Sequence, residues 1–457
     1  MVKAKKTKFV KVVKRRLPWL EHLIEREDVA RDLNLEDTLA TRVPRGSLCV
    51  YCKASKMLCG KPSCPILVKL RCYIKVEPSL RGLSVEGSSP PAVFVGRRGY
   101  PYVNVGPLVP PMRGDTSLYD SPERWLEANV SLEDVVDMRM KLVRGKVKAR
   151  VDEADEPRGV LQTLQEMVLS SRPVDAEMQL KRRPLASLIL DDDVQPIGPS
   201  APMEELRVEA VSTYRLLEKV YGDVDLKAEE AILELYRRGT PVTYIQRALS
   251  VGMMGLKGRR KLVPTRWSIT AVDSIVSRRL IDEVVKRSEE VAEFRVYSLT
   301  VMGNEFIVLM IPGKWSYESI EAWYPGTAWN PDQESLAFCG DWEGYWGRSS
   351  YASMGGCYYA ARLAVAEALA REHRQAQVLV LREARPGYIM PVGVWIVREA
   401  VREALRRKPE VFDTAQEALE HAFKRLMIRP EEWFKVSWTL DSLVKQEKIT
   451  KYLERKA

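Results

Sequence analysis

The 457 residues are 46% hydrophobic and 29% charged, the composition of a folded globular protein of several domains and not of a disordered chain. No apolar run is long enough to span a bilayer, and the basic start from Met1 to Arg16 lacks the apolar core of a secretory signal. A net charge of +10 favours a polyanionic partner, most simply nucleic acid, and only three scattered histidines (His22, His373, His421) argue against histidine triads and histidine-rich metal centres.

In chain order, residues 1–41 read as a basic arm, with Lys3, Lys5, Lys6, Lys8, Lys11, Lys14, Arg15 and Arg16 and no acid among them. Such a run either solubilises or contacts phosphates. Residues 42–85 carry Cys49, Cys52, Cys59 and Cys64 in the spacing C-x2-C-x6-C-x4-C. Two thiolate hooks suit tetrahedral Zn²⁺, and four sulfur ligands leave no open position, so the metal is expected to be structural. Cys72 is a substitute ligand on an expected strand, Val68 to Val76.

Residues 86–195 are rich in Gly and Pro and read as short strands between turns. Arg97 and Arg98 are candidate phosphate contacts there. Ser131 is expected to cap a helix to about Val143, with a strand at Val147 to Val151 and a helix at Leu161 to Ser170. Asp191-Asp192-Asp193 reads as a solvated loop or a weak Mg²⁺ attractor, and Gln195 to Pro202 as a linker.

Residues 204–290 read as helical, beginning with Leu206 to Tyr221. The glycine-flanked loop with Lys257, Arg259, Arg260 and Lys261 is a candidate DNA-backbone contact. Residues 291–438 read as a mixed α/β core. It opens on a hairpin, Phe294 to Val301 and Glu305 to Ile311, joined near Gly303-Asn304. The aromatic-dense block Lys314 to Trp346 serves either core packing or base stacking. A glycine-rich loop at Gly340 to Gly347 carries Asp341, Glu343 and, just beyond, Arg348. With Glu367 or Glu383 the two carboxylates are candidate ligands for Mg²⁺ or Mn²⁺ in phosphodiester chemistry, against the plainer reading of structural ion pairs.

The tail, 439–457, contains Gln446-x-x-Ile449-x-x-Tyr452-Leu453. One helical turn puts Ile449, Tyr452 and Leu453 on one face, an apolar plug with a Gln anchor that resembles the box by which replication and repair proteins hold the DNA sliding clamp. The alternative is a last amphipathic helix docked on its own domain.

The four-cysteine module, the terminal box and three internal stretches together resemble the archaeal Nre (NreA-type) DNA repair family. Those stretches are Phe94-Val95-Gly96-Arg97-x-Gly99-Tyr100-Pro101, Val263-Pro264-Thr265-Arg266-Trp267-Ser268 and Gly340-Asp341-x-Glu343-x-Tyr345. The resemblance implies DNA repair, a zinc finger at Cys49, Cys52, Cys59 and Cys64, and binding of the sliding clamp (PCNA) through Gln446 to Leu453. Leu453 departs from the aromatic that many clamp boxes carry at that position.

The expected fold is α+β: a small zinc module, a larger mixed core with a mainly helical middle part, and a short peptide tail. The expected function is a cytoplasmic, nucleoid-associated DNA repair protein that binds DNA and is recruited by the clamp. The competing function is a metal-dependent nuclease or nucleotide-modifying enzyme centred on Asp341 and Glu343. An RNA-binding protein accounts for charge and aromatics but leaves the terminal box unexplained.

Overall fold

A computed structural model describes residues 61–80, 82–184, 196–209, 211–327, 330 and 334–443. Cys49, Cys52, Cys59, the basic arm and the tail box lie outside the described residues, as does Asp191-Asp192-Asp193. The chain divides into two compact units, Met1–Ser268 with Ile389–Val392 and Ile269–Tyr388 with Gly393–Ala457. The described part is mixed α and β, as expected. The boundary falls between Ser268 and Ile269, so the helical region read at 204–290 is shared by the two units.

The first unit contains helix α1 (Pro65–Val76), strands β1 (Ser84–Ser89), β2 (Val93–Val95) and β3 (Tyr102–Val109), helix α2 (Leu132–Lys141) and strand β4 (Val143–Arg150). Helix α3 (Val160–Val168), strands β5 (Val174–Leu180) and β6 (Ser200–Val208), and helices α4 (Arg215–Gly222), α5 (Ala228–Arg237) and α6 (Val242–Ser250) follow. The six strands form one sheet in the order β1-β5-β6-β4-β3-β2. Ser131 caps α2 as expected, accepting from the Asp134 amide while the Asp134 carboxylate takes the Ser131 amide.

Two expectations in this unit are corrected. The apolar run at Val68 to Val76 is helical, because Pro65 opens a first turn and Ile66, Leu70 and Tyr73 recur at helical spacing on a buried face. The end of the stretch read as a linker, Ser200 to Pro202, together with the start of the expected helix at Leu206, belongs to β6. Its position inside the sheet, parallel to β4 and antiparallel to β5, outweighs the local turn composition.

Helix α7 (Thr265–Glu283) spans the boundary. The second unit then has β7 (Glu289–Glu290), β8 (Phe294–Val301), β9 (Asn304–Ile311), β10 (Ser316–Trp323), β11 (Ala337–Glu343), helix α8 (Gly356–Glu372), β12 (Arg374–Gln375), β13 (Gln377–Ala384), helix α9 (Trp395–Arg406), β14 (Glu410–Phe412) and helix α10 (Ala415–Arg425). Its main sheet runs β11-β10-β13-β9-β8-β14, with β10 and β13 parallel and the other pairs antiparallel.

The β8–β9 hairpin is the one read from the sequence. Met302 and Gly303 both take positive φ, as a two-residue turn matched to strand twist requires. All eight residues of β9 are buried, the mark of a strand covered on both faces. Ile307, Leu309 and Ile311 pack with Ile320, Leu379 and Leu381 beneath Ala418, Ala422 and Trp433. Burial of each such aliphatic side chain stabilises by about 1.5–3 kcal/mol.

Candidate functional site

Alternation along β4 does two jobs at once. Val143, Gly145 and Ala149 are buried, and the intervening residues Arg144, Lys146, Lys148 and Arg150 share the other face. Arg144 and Lys146 are half-buried, Lys148 and Arg150 exposed. Residues two apart on a strand are about 6.7 Å apart, so the four cations form a row about 20 Å long. Burial and the charges of Arg144 and Arg182 push the Lys146 ammonium below its usual range. The row therefore repels itself, which an anion along it would relieve.

Aromatic side chains border the row. In the β3–β4 pairing Tyr102 stands opposite Arg150 and Asn104 opposite Lys148. The Lys148 Nζ lies 5.6 Å from the Tyr102 ring centroid, and the Arg144 Cζ lies 4.3 Å from that of Phe94. The turn before β3 adds exposed Arg97, Arg98 and Tyr100, ending in a cis Tyr100–Pro101 bond. The Tyr100 ring packs 5.4 Å from that of Trp267, and both are nearly half exposed. The Val95 amide donates to Thr265 Oγ1 at 2.9 Å. Two stretches singled out by resemblance, Phe94 to Pro101 and Val263 to Ser268, thus meet in space.

The glycine-flanked basic loop joins the same region. The Val151 amide donates to Pro101 O at 3.0 Å, and the Leu262 amide to Val151 O at 2.7 Å. Asp155 takes the Gly258 amide at 2.8 and 2.9 Å. Lys257, Arg259 and Lys261 are exposed. Arg260 is not: it lies over Tyr221, and its Nε and Nη2 donate to the carbonyls of Gly255 and Asp223. It shapes the loop rather than offering charge to a ligand. Acids also stand here, and Arg150 Nε is 3.3 Å from Asp152 Oδ1, an exposed pair of the kind worth little.

The carboxylates of the second unit are arranged differently. Asp341 and Glu343 sit on β11 opposite Ser319 and Tyr317, not in a glycine loop, which corrects the sequence reading. Gly340 is small because a Cβ there would press on Ile320. Asp341 binds Arg348 through both oxygens, at 2.5 and 2.8 Å, and accepts the Ser353 amide at 2.8 Å. Partial burial raises this carboxyl, but the Arg348 guanidinium and the Ser353 and Trp342 amides outweigh it and hold it at about 2.

Glu343 meets Arg362 at 2.7 Å, and Glu367 meets Arg402 through both oxygens at 2.7 Å. Glu383 meets Arg385 and accepts the Met427 and Ile428 amides. The four carboxylates face arginines, not one another, and among the described residues no group of three His, Cys, Asp or Glu is placed to hold a metal ion.

Asp341→Asn is accordingly expected to loosen residues 344–355 while the sheet stays folded, seen as faster hydrogen exchange there. A charge-assisted bond of this kind contributes roughly 1.5–3 kcal/mol. A depressed carboxyl stabilises above its unfolded value and loses that effect as pH falls through its folded one. The gap between wild type and variant should therefore be full above about pH 4 and close as pH falls through about 2. A gap that does not depend on pH would contradict the pairing.

Of the aromatic block, Trp315, Tyr317 and Trp323 are buried core. Trp342 and Trp346 are exposed, Trp346 almost fully, and Trp342 stacks on Trp438 at 4.5 Å. Of the four cysteines read as the zinc set, Cys64 alone lies among the described residues. It is buried at the N-cap of α1. Cys72 is buried within α1, and burial raises its thiol to about 11, as suits an inert core thiol.

Comparison with known proteins gives two family matches, Archaeal Nre, N-terminal, over residues 58–330 and Archaeal Nre, C-terminal, over residues 343–452. The chain belongs to the archaeal Nre family. It is 42% identical over 390 residues to the DNA repair protein NreB of Archaeoglobus fulgidus, covering 85% of this chain and 96% of that one. It is 39% identical to the DNA repair protein NreA of the same organism, over 84% of this chain and 95% of that one. To NreA of Haloferax volcanii it is 37% identical, over 78% and 86%. No solved structure matches.

The Nre N-terminal match contains the whole β4 row, its aromatic border and the basic loop, and the C-terminal match takes in Gln446, Ile449 and Tyr452. Among the described residues no helix is long and apolar enough to cross a membrane. Lys146, Lys148, Arg150, Tyr102 and Trp267 were not candidates on sequence grounds. The signal was present, however: a basic residue at every second position from 144 to 150, running into the strand expected at Val147 to Val151.

Proposed function

We propose that this Nre protein is a DNA repair protein that binds DNA on the β4 face of its first unit and is delivered to it by the sliding clamp. The single observation that carries the DNA-binding part is the row Arg144, Lys146, Lys148, Arg150 edged by Tyr102, Tyr100 and Trp267. Cations positioned on a strand contact phosphates, and exposed rings beside them offer stacking to unpaired bases. The repair role is supported by the names of three relatives that match most of the chain.

Localisation falls to Gln446, Ile449, Tyr452 and Leu453, and the N-terminal arm and Lys257, Arg259 and Lys261 add charge. Cys49, Cys52, Cys59 and Cys64 hold a structural zinc ion that pins the module ahead of α1. Metal analysis of the intact protein should find one zinc per chain, and Cys49→Ser should lower it. Zinc content unchanged by that substitution would remove the site.

The DNA-binding face is tested by fluorescence anisotropy with single-stranded and duplex DNA. Lys146→Ala/Lys148→Ala/Arg150→Ala should weaken binding far more than a triple alanine change at Lys75, Lys286 and Lys435, exposed or ion-paired elsewhere. Equal losses in the two variants would reduce the β4 row to general surface charge. The carboxylate-centre reading is not taken up, since each of its carboxylates already faces an arginine.

A further inference from the structure

Two arginines of the first unit share one carboxylate, and a third stands beside them. Arg139, on α2, places Nη2 2.9 Å from Asp120 Oδ1. Arg247, on α6, places Nη2 2.9 Å from Asp120 Oδ2 and also donates to the main-chain oxygens of Pro90 and Asp120. The third is Arg144, on β4, lying against the Phe94 ring with no acceptor for its side chain among the described residues. The Nε atoms of all three arginines are buried and, among the described residues, without a hydrogen-bond partner.

Two guanidinium groups on one carboxylate, with a third beside Arg139, carry a net of two positive charges in a largely covered place. Natural proteins rarely bury charge or polar atoms without partners, so the arrangement points to an anion that completes it. Burial and the charge of Arg139 push the Arg144 guanidinium down to about 10, well below its ordinary range. Phe94 and Tyr119 form the apolar wall, packed on Ala92, Leu108 and Leu142. A guanidinium lying face-on to a ring keeps its edge donors available, and that edge matches the oxygens of a phosphate.

We propose that Arg144, with Arg139 beside it and Phe94 beneath it, forms a pocket for a phosphate monoester. Such a group is nearly a dianion at neutral pH and balances the two excess charges, whereas a diester within a DNA strand would leave one unbalanced. The monoester comes either from the phosphorylated end of a DNA strand or from a free nucleotide. In the first case the pocket sits at one end of the row formed with Lys146, Lys148 and Arg150, and it deepens the DNA-binding reading. In the second it is independent of that reading.

The test uses the full chain. Thermal unfolding is followed in inorganic phosphate and in chloride at matched ionic strength. Anisotropy is then measured with one oligonucleotide carrying a 5′-phosphate, a 3′-phosphate or hydroxyls at both ends. Phosphate should raise the unfolding temperature of the wild type and not that of Arg144→Gln. If the strand end is the ligand, a phosphorylated end binds roughly tenfold tighter than the hydroxyl form, and Arg144→Gln removes that difference.

Stabilisation by phosphate without end preference assigns the pocket to a free nucleotide. Should Arg144→Gln fail to fold, Arg144→Lys keeps the charge but not the fork, and it should lose most of the phosphate effect. A wild type neither stabilised by phosphate nor selective for a phosphorylated end overturns the pocket, even where DNA binding itself is intact. Loss of DNA binding with phosphate stabilisation retained overturns the other reading instead.

Discussion

Arg398→Met is expected to cost about 3–5 kcal/mol of folding stability, because it strands buried carboxylates that the arginine now neutralises. Arg398 is almost wholly buried on α9. Its Nη1 bonds both oxygens of Asp273 at 3.0 and 3.1 Å, and its Nε bonds Glu399 at 3.0 Å. Arg402 carries the chain of charge onward to Glu399 and Glu367. Helices α7, α8 and α9 are thereby tied inside the second unit by alternating charges.

Burial raises the Asp273 carboxyl, Arg398 and Arg402 lower it, and burial prevails. Removing Arg398 raises it further. A carboxyl raised in the folded state costs stability above its folded value and recovers it as pH falls through that value. The deficit of Arg398→Met, measured by denaturant unfolding, should therefore shrink as the pH is lowered. Arg398→Met/Asp273→Leu should be more stable than the single variant, since the stranded charge is gone. A single variant within about 1 kcal/mol of wild type would mean the pair is hydrated and not buried.

Tyr452→Ala/Leu453→Ala is expected to abolish binding to the sliding clamp, read by calorimetry on the intact protein. Each of the two side chains contributes about 1.5–3 kcal/mol when it fills an apolar groove, so the pair corresponds to roughly a hundredfold or more. The intact box should bind at around the micromolar level, about −8 kcal/mol. Gln446→Ala should cost less, because an amide at the rim exchanges one set of hydrogen bonds for water. Binding that survives the double change would return the tail to the reading of a helix docked on its own domain.

What was legible in the sequence follows from how local each cause is. The β8–β9 hairpin needs only alternation and two residues at positive φ, and both are local. The α2 cap needs Ser131 and Asp134, three residues apart. β6 was hidden because Pro199 and Pro202 carry a turn signature while the partners that hold the strand, β4 and β5, lie elsewhere in the chain. Asp341 and Glu343 looked like a loop because of Gly340, a glycine kept small by the cross-strand Ile320.

The candidate site divides in the same way. Arg97 and Arg98 were visible as cations near a turn, but their meeting with Trp267 required the fold. Arg260 has the composition of a ligand contact and the position of a strut. Arg139 and Arg247 come from two helices and Arg144 from a strand, and no spacing along the chain announces that the first two meet on Asp120 with the third beside Arg139. The β4 row was the reverse case, written plainly in the sequence as a period of two.

The most direct test of the central claim is the salt dependence of DNA affinity. Log K against log salt is measured for wild type and for Lys146→Ala/Lys148→Ala/Arg150→Ala on one DNA. If these three residues sit on phosphates, the variant binds more weakly and its slope is shallower by about 2–3. An unchanged slope, with or without lower affinity, would mean that the β4 row touches no phosphate and that this Nre protein meets DNA elsewhere.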